Sequence, residues 1–317
     1  MRIVFLGTPD FAVASLRALV DAGHEVVGVV TATDKLGGRG GKQLLESAVK
    51  RFARERDLPV LQPRNLKARS FLADLRALRA DLQVVVAFRM LPRLVWDMPP
   101  LGTINVHGSL LPAYRGAAPI HWAVINGETE TGVTVFRLRH EIDTGDVLLR
   151  RATPIGPDET TGEVYARLMA LGAEALLETV EGLAAGTLTP HPQADAEASH
   201  APKIFREDCR LDWSAAAKTC HDRIRGLSPA PTAFALLGDQ EIKLLRSRVV
   251  PGLSHATAGE LLPLAGEHTA DGAPGVGIAC GDGGVVELAE VKPAGKRLMS
   301  GREWGNGLRL TGPLALR

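Results

Sequence analysis

An open, mostly parallel α/β sheet of Rossmann-like type, followed by a small C-terminal β-barrel of OB-like type, is the fold class this sequence predicts. Three observations predict it. An apolar run from Ile3 to Leu6 ends at Gly7, and a helical pattern and a second apolar run, Val26 to Thr31, follow it. That is a strand–helix–strand unit with strands buried on both faces. The alternation continues through a long helical pattern from Thr161 to Ala185, which Gly186 ends. Beyond about Phe205 the character changes to short apolar runs broken by glycine and proline, the pattern of a small barrel.

The elements follow in order. Thr8-Pro9-Asp10 turns the chain into a helix from about Phe11 to Ala22, with Phe11, Leu16, Leu19 and Val20 on its apolar face and Gly23 at its end. Asp34 to Lys42 holds four glycines in the five positions 37–41 beside Lys35, Arg39 and Lys42, and is read as a mobile basic loop. A helix is expected from about Leu44 to Glu55, a short strand at Val60 and Leu61, and a helix near Ser70 to Leu78. Strong strands follow at Leu82 to Ala87 and Thr103 to His107, then a helix from Pro119 to Asn126 and strands at Gly132 to Leu138 and Asp146 to Arg151. Pro190-His191-Pro192-Gln193 opens the best linker. The expected domains are therefore residues 1–189, a linker at 190–205, and residues 206–317. The last contains a helix near Ser214 to Arg225 and strands at 233–237, 242–247, 276–280 and 284–289.

Composition narrows the function classes. With 45% hydrophobic and 23% charged residues over 317 positions, the chain is an ordinary globular protein long enough for two cores. A formal charge of +1 supplies no global field for nucleic acid, although a local basic patch remains open to it. Cys209, Cys220 and Cys280 are odd in number and widely spaced, which argues against a disulfide framework or a structural zinc site. No run is apolar enough to span a membrane and none reads as a signal peptide, so the expected location is the cytoplasm.

The chemistry concentrates in Thr103-Ile104-Asn105-Val106-His107. Side chains alternate along a strand, so Ile104 and Val106 face one side while Asn105 and His107 share the other, at the carboxyl end where open α/β sheets bind ligands. An amide donor beside an imidazole can polarise a carbonyl and move a proton. Alone, an Asn-x-His pair equally suits the satisfaction of nearby backbone groups. Asp143, in Ile142-Asp143-Thr144-Gly145-Asp146, is the best carboxylate to orient the imidazole, with Asp146 second.

Taken together, Asn105-Val106-His107 running into Ser109-Leu110-Leu111-Pro112, then Arg115-Gly116-Ala117-Ala118-Pro119, with Asp143-Thr144-Gly145-Asp146 downstream, resembles the folate-dependent formyltransferases. Arg115-Gly116-Ala117-Ala118-Pro119-Ile120, together with the opening Phe5-Leu6-Gly7-Thr8-Pro9-Asp10-Phe11, resembles those members that act on methionyl initiator tRNA. The resemblance implies that Asn105, His107 and Asp143 are catalytic and that 10-formyltetrahydrofolate is the formyl donor, with no metal. It implies that Ser109, Leu110, Leu111 and Pro112, with Phe88 and Met90, contact the folate. Where the family often has Tyr-Gly after the third strand, this chain has Phe88-Arg89. Lys35, Arg39, Lys42 and Arg206 are the implied tRNA contacts, on a monomer without membrane attachment. The competing readings are transfer to glycinamide ribonucleotide or an amino-sugar nucleotide, hydrolysis of the formyl donor, a nicotinamide-dependent oxidoreductase, and a non-enzymatic RNA-binding protein. The oxidoreductase lacks support because Gly7-Thr8-Pro9-Asp10-Phe11 has one glycine where a dinucleotide fingerprint has three.

Overall fold

Buried apolar strands alternating with amphipathic helices build the first of two compact units, Met1–Pro119, Gly132–Thr153 and Tyr165–His200. The structure is a computed structural model and describes residues 1–37, 40–252, 254–269, 272–308 and 314–317. In chain order the elements up to the end of this unit are β1 (Arg2–Gly7), α1 (Asp10–Asp21), β2 (Glu25–Val30), β3 (Lys35–Gly37), β4 (Gln43–Leu45), α2 (Ala48–Glu55) and β5 (Val60–Leu61). There follow α3 (Arg69–Ala77), β6 (Leu82–Val86), α4 (Arg93–Trp96), β7 (Thr103–His107), β8 (Arg115–Gly116), α5 (Pro119–Ile125), β9 (Glu130–Arg137), β10 (Val147–Pro154) and α6 (Thr161–Ala185).

Seven strands form one sheet in the order β10-β9-β7-β6-β1-β2-β5. The neighbours from β7 to β5 are parallel, and β9 is antiparallel to β7. The chain runs outward from β1 to β5 and returns to β6 on the other side of β1. The order therefore reverses between β1 and β6, the place where such sheets bind ligands. Gly7 is required there. A Cβ on it would lie 2.6 Å from the Ala12 Cβ and 3.0 Å from the Val86 carbonyl. All five residues of β6 are buried, and Val4, Leu6, Val30, Phe71, Leu72, Leu75 and Val85 form one core cluster of the unit. Each such side chain contributes about 1.5–3 kcal/mol on burial.

The glycine-rich segment differs from the expected mobile loop. β3 and β4 pair as an antiparallel hairpin, Lys35 opposite Leu45 and Gly37 opposite Gln43. Gly40 and Gly41 take φ of +90° and +67°, so their glycines serve the turn and leave the legs free to pair. The helix expected from Leu44 consequently begins at Ala48. Ser47 caps it, its Oγ accepting from the Lys50 N–H at 3.0 Å.

The second unit comprises Ile120–Thr131, Pro154–Val164 and Ala201–Arg317. Its remaining elements are β11 (His200–Ala201), α7 (Ala217–Gly226), β12 (Ala233–Leu237), β13 (Gln240–Val250), β14 (Leu261–Leu264), β15 (Gly275–Ala279), β16 (Val285–Pro293), β17 (Met299–Ser300) and α8 (Gly301–Leu308). A smaller sheet runs β12-β13-β16-β15-β14, with β17 beside β16. The β13–β16 register slips on both sides of Arg246, and such bulges bend a strand. Residues 314–317 hydrogen-bond toward both edges. The Arg317 and Leu236 backbones exchange bonds of 2.8 and 2.6 Å, Leu316 N–H donates to the Gly259 carbonyl and Leu261 N–H to the Leu314 carbonyl, both at 2.8 Å. Trp213, Ile224, Leu244, Ile278, Leu288 and Trp304 belong to the core beneath.

Buried polar groups tie the 154–164 excursion into this unit. Arg225, buried on α7, donates through Nε to Asp222 Oδ1 at 2.8 Å and through Nη1 to the Gly156 and Glu159 carbonyls at 3.3 and 3.1 Å. His221 Nε2–H donates to the Pro157 carbonyl at 3.0 Å, while Nδ1 meets Ser247 Oγ at 2.9 Å. A carbonyl partner requires the proton on Nε2. Cys209, Cys220 and Cys280 are all free and buried.

Candidate functional site

At the carboxyl end of β7, His107 is buried and Asn105 half-buried, between β6 and β9. Asn105 lies opposite Val85 on β6 and Phe136 on β9, and His107 lies opposite Thr134. The alternation expected from sequence holds, with Ile104 and Val106 buried on the other face. Among the described residues no hydrogen bond engages the Asn105 amide. A half-buried donor without a protein acceptor is suited to a ligand oxygen.

His107 is fixed from three directions. Its ring stands edge-on to Phe136, with centroids 6.4 Å apart and planes at 86°. Nε2–H donates to the Tyr114 carbonyl at 2.9 Å, which assigns the proton to Nε2. Nδ1 faces Asp143 Oδ2 at 3.7 Å. That gap exceeds a direct hydrogen bond, but it is short enough for the carboxylate to stabilise a proton arriving on Nδ1. Tyr114 holds a left-handed φ of +62°, and its own N–H donates to Ser199 Oγ at 2.9 Å.

Asp143 is 12% exposed at its side chain and also left-handed, at φ +55°. Its Oδ2 accepts from the Gly116 N–H at 2.9 Å. The following Gly145 is pressed against β9, where a Cβ would lie 1.6 Å from the Arg137 carbonyl oxygen. Asp146, the second candidate carboxylate, pairs instead with Arg139 at 2.6 Å. The structure thus brings Asn105, His107 and Asp143 into one site and leaves Asp146 outside it.

The residues expected to contact folate divide. Ser109 is fully buried, its hydroxyl donating to the Ala113 carbonyl at 2.6 Å, so its side chain shapes the loop. Thr134 Oγ1 clamps that loop by donating to the Ser109 carbonyl at 2.7 Å and accepting from the Leu111 N–H at 3.0 Å. Leu111 and Pro112 are buried and Leu110 half-buried, with a cis Leu111–Pro112 bond. Phe88 and Met90 follow β6, which ends on the same edge as β7. Phe88 is half-buried against the core cluster and Met90 is 72% exposed. Arg89 turns away, its guanidinium donating to the Pro63 and Arg64 carbonyls.

Of the basic candidates, Lys35 and Lys42 are exposed on the hairpin, and Arg39 lies outside the described residues. At the hairpin's base Lys50 bridges Asp34 at 2.5 Å and Glu46 at 2.9 Å. The ammonium holds both carboxyls below their ordinary range, and they raise the Lys50 pKa. Arg206, in the second unit, is engaged by Glu241 and lies over the Phe234 ring at 4.9 Å. Among the described residues no group of three or more His, Cys, Asp or Glu side chains is placed to hold a metal ion. No described helix is long and apolar enough to cross a membrane.

Sequence reasoning missed Tyr114, whose carbonyl fixes the imidazole, and Gln193, which reaches the Asp143 turn from the segment read as linker. Gln193 carries no periodic signal. Arg115, which touches it, stood in the Arg-Gly-Ala-Ala-Pro motif and was the available clue.

Comparison with known proteins identifies the family. Residues 1–180 match the family described as formyl transferase, and residues 203–309 match its C-terminal domain. The methionyl-tRNA formyltransferase of Parabacteroides distasonis is 49% identical over 314 residues, covering 98% of this chain and 96% of that protein. The methionyl-tRNA formyltransferase of Citrifermentans bemidjiense is 43% identical over 98% of this chain and 94% of its own length. Among solved structures, the sugar 3N-formyl transferase WlaRD, crystallised with dTDP and 5-N-formyl-THF, aligns with TM-score 0.65 at 16% identity over 94% of this chain and 99% of its own. HypX from Aquifex aeolicus in complex with tetrahydrofolic acid aligns with TM-score 0.63 at 22% identity over 100% of this chain and 51% of its own. The two structural likenesses speak to the fold.

Proposed function

This chain belongs to the formyltransferase family, and from that premise we propose that it transfers the formyl group of 10-formyltetrahydrofolate to the amino group of methionyl initiator tRNA. The observation that carries the chemistry is the site at the end of β7: a free Asn105 amide beside a His107 whose Nδ1 faces Asp143 at 3.7 Å. The acceptor is read from relatives that match the chain over nearly its whole length. The exposed basic hairpin carrying Lys35 and Lys42 is consistent with it.

The donor supplies an activated formyl carbon whose oxygen gains negative charge as the amine attacks. The unpaired Asn105 amide fits that oxygen. Donating to it is worth about 2.7–4 kcal/mol of barrier. His107 exchanges its proton at Nδ1, because Nε2–H is committed to the Tyr114 carbonyl. Asp143 stabilises the imidazolium that results, and so favours removal of the amine's proton and its return to the departing folate nitrogen. Phe88, Met90 and Leu110, with the backbone of Ser109 to Pro112, are read as the residues that border the folate. No step here calls for a metal.

The second unit is read as an OB-like barrel, closed by residues 314–317 bonding to both sheet edges. Arg206 of this unit, Lys35 and Lys42 of the hairpin, and Arg39 are the proposed contacts to tRNA, phosphate contacts that weaken with salt. Along the chain the domains are read as 1–189 and 206–317 with 190–205 between them, although the compact units interleave, the first running on to His200 and the second taking in 120–131 and 154–164. The protein is read as a cytoplasmic monomer. The discriminating experiment is acceptor choice. Formyl transfer is measured to methionyl initiator tRNA, uncharged tRNA, glycinamide ribonucleotide and an amino-sugar nucleotide. Transfer to the charged tRNA alone is expected, and transfer to a small amine instead would overturn the tRNA reading while keeping the chemistry.

A further inference from the structure

Gln193 lies at the centre of a network that joins a buried arginine to the turn carrying Asp143. Its Oε1 accepts from Arg115 Nε at 3.1 Å and Nη2 at 2.8 Å. A guanidinium has donors only, so the amide oxygen must face it and the NH2 must face the other way. There Nε2 donates to the Asp143 carbonyl at 2.9 Å and to the Gly145 carbonyl at 2.7 Å. Both N–H groups and the oxygen are thus satisfied in a single orientation of the amide. Arg115 is itself buried, and its Nη2 also meets Asp195 Oδ1 at 2.8 Å. The guanidinium therefore sets which way the Gln193 amide points.

The turn needs such a hold. Asp143 is a non-glycine residue at φ +55°, a conformation that persists where the surroundings over-determine it. The bonds from Gln193 grip the turn at Asp143 and two residues further on. The Gly116 N–H grips the carboxylate from the other side. Released at its two carbonyls, the turn is free to relax toward a right-handed backbone, which swings the carboxylate off His107 Nδ1.

We propose that Gln193 is a positioning residue for the reaction, with Arg115 orienting its amide so that the Asp143 turn stays locked and the carboxylate stays aimed at His107. This rests on the reading that Asp143 and His107 carry the chemistry.

The test compares Gln193→Leu and Gln193→Glu with Asp143→Asn in the full-length enzyme, measuring kcat, KM for each substrate, the kcat–pH profile and the thermal midpoint. Gln193→Glu keeps an acceptor for Arg115 but offers no N–H at neutral pH to the two carbonyls, so it removes the grip while preserving shape. Both Gln193 variants are expected to lose about tenfold to a hundredfold in kcat, with KM values within about threefold of wild type and a displaced acid limb of the pH profile. A folded Gln193→Glu with wild-type kcat and pH profile, alongside an inactive Asp143→Asn, would overturn the positioning role alone. Full activity in Asp143→Asn would overturn the reading of the site, and the role of Gln193 with it.

Discussion

Replacing Gly145 with alanine tests how tightly catalysis depends on the Asp143 turn. Gly145 does not sit at positive φ, so alanine introduces no backbone strain of its own. Its Cβ, however, would lie 1.6 Å from the Arg137 carbonyl oxygen and 2.8 Å from the Arg137 carbonyl carbon. Neither atom can rotate away, because both belong to the backbone of β9. Restoring a tolerable contact moves the turn by roughly 1.4 Å, and a displacement of about 1 Å in catalytic geometry costs about 10²-fold in rate. The same shift strains the Gln193 bond to the Gly145 carbonyl and the Arg137 N–H bond to the Asp146 carbonyl. We therefore expect kcat to fall about 100-fold, with a stability loss of about 1–3 kcal/mol as for other overpacked sites. Single-turnover formyl transfer to methionyl initiator tRNA measures the first, and denaturant unfolding the second. A folded Gly145→Ala enzyme within threefold of wild-type rate would refute the coupling of this turn to the chemistry.

Other outcomes follow from the same geometry. Arg225→Ala leaves Asp222, among the described residues, with the exposed Lys218 as its one cationic partner and takes a donor from the Gly156 and Glu159 carbonyls. It should cost about 3 kcal/mol in denaturant unfolding, and a change under 1 kcal/mol would contradict the role given to this network. Burial pushes the His221 pKa below its ordinary value, and the same holds for His121. Each is held neutral in the fold while the unfolded chain takes up a proton near its ordinary pKa. Their contribution is therefore complete above about pH 6.5 and is lost as pH falls toward the depressed folded values, at about 1.4 kcal/mol per pH unit per proton. Unfolding free energies at pH 7.5, 6.5 and 5.5 check this, and His221→Gln should reduce the slope by one proton. Changing Lys35 and Lys42 together to alanine should weaken tRNA binding and lower the slope of log K against log salt by about one to two, read by filter binding. An unchanged slope would remove the hairpin from the interface.

Much of this was written in local patterns. The parallel strands were legible mainly because Ile3 to Leu6, Val26 to Val30 and Val84 to Val86 are short runs without a charged or polar side chain, which suit strands buried on both faces. Asn105 and His107 were legible because strand alternation alone puts them on one face at a carboxyl end. Asp143 came from residue type and position in a loop, and Gly145 explains why its motif needs a glycine beside it. What escaped lacks periodicity or depends on distant partners. The Lys35–Gly37 and Gln43–Leu45 legs are too short to show alternation, and the glycines between them read as flexibility when two of them serve a turn. The strand Leu261–Leu264 is four residues interrupted by Pro263, and the helix Gly301–Leu308 contains three glycines, which local propensity disfavours. Residues 154–164 join the second unit through Arg225, some 65 positions away, and residues 120–131 through His121, whose ring meets the Ala230 carbonyl, and no local pattern announces either. Gln193 escaped for the same reason, since its meaning lies in Arg115 and Asp143.

If the β7 site performs formyl transfer, His107→Ala measured beside wild type must show it. Both are mixed at saturating concentration with 10-formyltetrahydrofolate and methionyl initiator tRNA, and formyl-methionyl-tRNA is followed through a single turnover. The variant is expected to lose at least about 10²-fold in rate, the range for removing a positioned proton-transfer group, with tRNA binding unchanged. Product formed at the wild-type rate by folded His107→Ala would contradict it, and the reacting groups would have to lie elsewhere.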